Sequence, residues 1–172
     1  MKVGQKGFTL LELLVAISIM AVAASAAGAG IFQTFQNNER NNDKNIAITQ
    51  LENVGYWINR DVLMSQTVNT SGSDFLKVSW TQYDSSDLYE VTYTFADMDE
   101  GDHKKLLRTQ SINGTDNTTR LVAEHINSDP SKTTCNFTDG VCNITVTATA
   151  GEGGLTQSEA RTFEIIPRPG KG

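Results

Sequence analysis

The residues that could do chemistry are few and lie in short clusters. DMDEGD brings Asp97, Asp99, Glu100 and Asp102 into six consecutive positions, and oxygen donors gathered this closely suit Ca2+. A calcium loop of the EF-hand kind needs glycine at its sixth position for the sharp turn; here that position holds Asp102. Asp97, Asp99 and Asp102 are therefore weak metal candidates, and the stretch reads better as an acidic, solvated turn between strands. His103 and His125 have no partner at ligand spacing and read as structural histidines. Cys135 and Cys142 flank Thr138-Asp139-Gly140, which has turn chemistry. A four-residue loop, Phe137 to Gly140, would set the two cysteines across from each other on a hairpin. Outside the cytoplasm such a pair is expected to close a small-loop disulfide. The last candidate is Glu12, the one charge in the apolar run from Phe8 to Ile31.

Glu12 is the costliest of these. A carboxylate at mid-membrane costs about 2.5–3.5 kcal/mol on insertion scales, less near an end, so it asks for a partner. Beyond it the chain shows no nucleophile–base motif, no phosphate loop and no metal quartet. The expectation is a non-enzyme without a cofactor, Ca2+ at the acidic stretch being the weak exception.

The elements that must position these residues follow from periodicity. As a helix, Phe8–Ile31 is long enough to cross a bilayer core. Lys2 and Lys6 ahead of it favour a cytoplasmic N-terminus. A cleaved secretory signal would use Ala24-Ser25-Ala26 as its A-x-A site, and a plain anchor would need no special residue. Neither explains Glu12. The following stretch contains no proline, and Ala47, Leu51, Val54, Ile58 and Val62 recur on one helical face. Gly55 beside that face suits the close approach of a sheet. Gly28 and Gly30 weaken the apolar helix and make local bending an expectation.

Past the helix the period changes to two. Leu76, Val78 and Trp80 alternate in FLKVSW, as do Tyr89, Val91, Tyr93 and Phe95 in LYEVTYTF. KKLLRTQSI reads as a strand, with TRLVAEHI as its extension; CNITVTATA and ARTFEIIPR read as two late strands joined through a glycine-rich loop. The expected fold class is α+β: a long helical stem, membrane half then amphipathic half, packed on an antiparallel β-sheet head. The expected segments are a leader at 1–7, an apolar helix at 8–31, an amphipathic stem at 32–68 and a β-rich head at 69–172. With 14 Lys+Arg against 20 Asp+Glu, the chain disfavours nucleic acid as a partner. N-x-[ST] sequons at Asn69, Asn113, Asn117, Asn136 and Asn143 are expected by chance in a chain rich in Asn and Thr.

KGFTLLELLVAISIM closely resembles the leader junction of bacterial type IV pilins and type II secretion pseudopilins. The resemblance implies that a prepilin peptidase cuts after Gly7 and methylates the amine of Phe8. It also implies that Glu12, fifth in the mature chain, meets the N-terminal amine of a neighbouring subunit in a helical filament. Pairing two charges that are each expensive in lipid would make register a determinant of assembly. The implied partners are the peptidase, other pilins or pseudopilins, an inner-membrane assembly platform and membrane lipid. The implied location is the bacterial cytoplasmic membrane, crossed once, with the head outside the cytoplasm. Many relatives carry a proline in the apolar helix; this chain has none there. A looser similarity, through Asn59-Arg60-Asp61 and the later Leu107-Arg108, points to J-type minor pseudopilins of type II secretion. The alternatives are a pilus or competence-pilus subunit and, from another class, a secreted β-rich binding domain.

Overall fold

The structure, a computed structural model, describes residue 7 and residues 9–99 and 101–168. Phe8 and Glu100 therefore lie outside the described residues, as do Lys2 and Lys6. The chain forms two compact units, Met1–Glu39 and Arg40–Gly172. One helix, α1 (Leu10–Met64), contributes to both.

In the first unit α1 is apolar and exposed. Leu10, Ile17, Met20, Val22 and Phe32 all face outward, and by length and composition the segment can cross a membrane. The helix is unbroken through Gly28 and Gly30, so the expected bending does not interrupt it there. Ser18, Ser25 and Thr34 each donate their hydroxyl to the carbonyl four residues back. Among the described residues of this unit, that leaves no side-chain hydroxyl unpaired on the apolar surface.

In the second unit α1 turns the expected face to the core. Ala47, Leu51, Val54, Ile58 and Val62 are all buried, as is Gly55. A Cβ on Gly55 would sit 2.7 Å from Phe163 Cε1, so glycine is what admits the aromatic ring. The helix closes at Met64, where the Ser65 hydroxyl donates to the Val62 carbonyl at 2.7 Å. The chain then enters the sheet at once.

Eight strands form one antiparallel sheet: β1 (Thr67–Asn69), β2 (Leu76–Thr81), β3 (Leu88–Asp97), β4 (Lys104–Ile112), β5 (Thr115–Ile126), β6 (Thr134–Thr138), β7 (Val141–Ala150) and β8 (Gln157–Ile165). Strands β1 to β5 pair in chain order, and β7 then carries β5 and β6 as well as β8. Strand β1 begins within the segment the sequence assigns to the stem, at Thr67 and Val68, and ends at Asn69, the first residue assigned to the head. TRLVAEHI forms part of its own strand, β5, and does not extend β4; a tight turn at Asn113 (φ 53°) and Gly114 (φ 76°) separates them. The alternation in β2 and β3 holds: Leu76, Val78, Trp80, Val91 and Tyr93 are buried against the helix face. Leu106, Ile126, Ile144, Val146 and Ala148 carry the core on across the later strands. A long helical face laid on a sheet face buries both apolar surfaces in two layers.

Candidate functional site

At the start of α1 the backbone N–H groups have no partner within the helix. Thr9 and Glu12 close this end reciprocally. Glu12 Oε2 accepts from the Thr9 backbone N–H and from the Thr9 hydroxyl, both at 2.9 Å, while the Glu12 N–H donates to Thr9 Oγ1 at 3.3 Å. This is a capping box, whose sequence sign is Thr-x-x-Glu ahead of an apolar run. TLLE, Thr9 to Glu12, carries that sign in the sequence itself. One carboxylate oxygen is thus used within the chain. Oε1 makes no hydrogen bond among the described residues, so the group keeps capacity for a second partner.

Gly7 precedes this cap in open space, with no atom near its Cα substituent position. An exposed apolar helix, a capped first turn carrying the carboxylate and a glycine just ahead of it make up the N-terminal site. Residues 2–28 match the prokaryotic N-terminal methylation motif. Comparison with curated proteins and with solved structures gives no match. The motif covers Gly7 and Glu12, and it supports a type IV pilin-like prepilin signal. It spans only the start of the chain, so the head has to be read from its own geometry.

The head's acidic stretch lies at the β3–β4 turn. Asp97 pairs with Lys104 and Asp99 with Lys105, across the hairpin. Hydrogen bonding from the Lys104 ammonium, and then its charge, hold the Asp97 carboxyl below the usual carboxylate range. Among the described residues no three His, Cys, Asp or Glu side chains gather as a metal set. His103 and His125, unrelated in sequence, line one open cavity of about 460 Å³ with Asp99 and Glu124.

The cysteine hairpin differs from the expected one. Its turn is the two residues Asp139 (φ 54°) and Gly140 (φ 79°), not a four-residue loop. Asp-Gly favours this tight turn because both positions take positive φ. The register sets Cys142 opposite Phe137 and Cys135 opposite Ile144, so the cysteines are diagonal neighbours. Both are free thiols. Hydrogen bonding with the neighbouring Cys142 sulfur, and then burial, push the Cys135 thiol up, and the same interaction lowers Cys142.

The strongest polar feature of the head joins residues far apart in sequence. Asp61, fully buried on α1, accepts from Arg108 Nε at 2.6 Å (Oδ2) and Arg108 Nη2 at 3.0 Å (Oδ1). The Tyr93 hydroxyl donates to the same Oδ2 at 2.6 Å. Burial opposes the Arg108 charge, but hydrogen bonding and attraction from Asp61 outweigh it, and the guanidinium's pKa is raised. Trp57 lies beside it, 5.0 Å from Arg108 Cζ and 4.8 Å from Arg60 Cζ. Asp61 appears in the sequence only as part of Asn59-Arg60-Asp61, and nothing local announces its partner.

Proposed function

We propose that the chain is a type IV pilin-like filament subunit and, within that class, a minor pseudopilin that helps initiate or cap the pseudopilus of a type II secretion system. The observation that carries the class is the methylation motif at residues 2–28, followed by an exposed apolar helix on one continuous α1. In this reading the peptidase cuts between Gly7 and Phe8 and methylates Phe8, and the helix waits in the cytoplasmic membrane with the head outside. Glu12, half satisfied by Thr9, offers its free oxygen to the amine of a neighbouring subunit. The pairing relieves two charges that lipid penalises, and it does so only when subunits are in register. Apolar helix packing then holds the filament together.

Asn59-Arg60-Asp61 and Leu107-Arg108 favour the J-type assignment through their similarity to that group. Pairing of Cys135 with Cys142 outside the cytoplasm belongs to the same proposal. Alkylation of the unreduced chain reads it directly: two free thiols would remove that part. A pilus or competence-pilus subunit is the second reading, favoured by the same motif.

The test is Glu12→Val in cells that carry the assembly system. Leader removal should persist while recovery of the chain with filament components falls at least about tenfold. Incorporation equal to the unaltered chain would remove the assembly role of Glu12. Co-purified subunits identified by mass spectrometry separate the two readings, because pseudopilins and pilus subunits would be recovered respectively.

A further inference from the structure

Strands β4 and β5 set two arginines directly opposite each other, Arg108 and Arg120. Like charges in that position are destabilising, so the pairing calls for an explanation. Arg120 is exposed and makes no ion pair or hydrogen bond among the described residues. Arg60, from α1, reaches the same place; its nearest acidic contact is Asp61 Oδ1, 3.8 Å from Nε. With Trp57, Gln110 and Thr118 the three arginines line a cavity of about 270 Å³. Among the described residues the carboxylate that pairs with these arginines is Asp61, and Arg108 already engages it on both oxygens. Positive charge is therefore left in excess at one place on a chain whose net charge is −6.

The donors are poised toward the cavity. Arg108 uses Nε for Asp61 and Nη2 for Asp61 and for the Gln110 side-chain oxygen at 2.9 Å. Its Nη1 has no hydrogen-bond partner among the described residues. Arg108 lines the cavity, so Nη1 is the donor it has left to offer there. The side of Arg108 facing Asp61 is fixed, and the other side is presorted for a second acceptor. A guanidinium held in this way loses little freedom on binding.

We propose that this cleft is a binding site for a carboxylate group. The planar guanidinium forks of Arg60 and Arg120 match a carboxylate in two-point hydrogen bonding, and Arg108, its other edge held by Asp61 and Gln110, adds Nη1 as a single donor. The Thr118 hydroxyl adds a donor and Trp57 provides an apolar wall. The cavity is smaller than the roughly 300–1,000 Å³ of a drug-sized site, which suits an acidic side chain or a small organic acid. It is lined by side chains of one helix face and two paired strands, without the helix N-terminus or glycine-rich backbone that serve phosphate. The carboxylate can come from an acidic residue of another protein subunit or from a free acid, and the site's chemistry is the same for both.

The experiment uses the full chain in detergent micelles. The chain has two tryptophans, so Trp80→Phe leaves Trp57 as the reporter. Succinate is titrated at constant ionic strength, and inorganic phosphate separately. The expected result is a saturable change in Trp57 emission with succinate, weakened at least about tenfold in Arg120→Gln, whose side chain is exposed and whose loss should leave the circular dichroism unchanged. Calorimetric titration of the chain with both tryptophans gives the same reading if Trp80→Phe fails to fold. To separate the sources, a photo-crosslinking amino acid replaces Thr118 in cells. A crosslink to another subunit identifies a subunit carboxylate; saturable succinate binding without a crosslink identifies a free acid. An absence of both, a succinate response unaltered by Arg120→Gln, or equal binding of phosphate would overturn the proposal.

Discussion

Asp61 and Arg108, 47 residues apart in the chain, grip each other through two hydrogen bonds inside the head, where neither is more than 3% exposed. Tyr93 closes the group by donating to the same carboxylate. The pair ties α1 to β4, and Tyr93 adds β3, so one buried carboxylate links three elements.

Removing one partner leaves the other charge buried and alone, which costs about 3–5 kcal/mol. Asp61→Ala should therefore lower head stability by about that amount, read as a shift of the urea midpoint for loss of β-sheet signal. Asp61→Leu combined with Arg108→Met should recover most of it, because two apolar side chains demand no counter-charge. Additive losses in the double variant would contradict this account of the pair.

Tyr93 gives a pH signature. Burial first, then the neighbouring Asp61 charge, push its hydroxyl far above the ordinary tyrosine value. The folded state thus holds this proton more tightly than the unfolded state does. The stability it contributes is complete below the unfolded value of about 10 and is lost as pH climbs above it. Ultraviolet titration should find the Tyr93 hydroxyl silent until the head unfolds, and stability should fall with pH above about 10. A Tyr93→Phe variant with the same alkaline loss of stability would assign it to other groups.

Gly55 sets two effects against each other. Alanine would gain about 0.8–1 kcal/mol of helix propensity, but its Cβ would meet the Phe163 ring at 2.7 Å. Overpacking of this kind costs about 1–3 kcal/mol, so Gly55→Ala should destabilise by up to about 2 kcal/mol. Gly55→Ala with Phe163→Leu should restore stability, as thermal unfolding would report. A more stable Gly55→Ala single variant would show that the ring moves aside without cost.

How far the sequence shows all this depends on the range of the signal. The face through Ala47, Leu51, Val54, Ile58 and Val62 is a local period, as is the alternation in β2 and β3, and both are legible. The Thr9–Glu12 cap is equally local, three residues apart, and is legible as Thr-x-x-Glu. Asn113-Gly114 is a strong hairpin signal; it marks the end of β4, and without it β5 reads as an extension. The cysteine register turns on whether the loop is counted as two residues or four, and Asp139-Gly140 decides that through backbone conformation. Asp61 with Arg108, and Arg108 facing Arg120, arise only from folding. No spacing rule joins a helix residue to a strand 47 positions later, so these sites are illegible until the sheet is built.

The central claim is that the chain is processed as a prepilin, and the mass of its mature N-terminal peptide tests it most directly. The account predicts a chain that begins at Phe8 and carries one methyl group on its amine. A chain beginning at Ala27, after the Ala24-Ser25-Ala26 site, would contradict it and make the apolar segment a secretory signal.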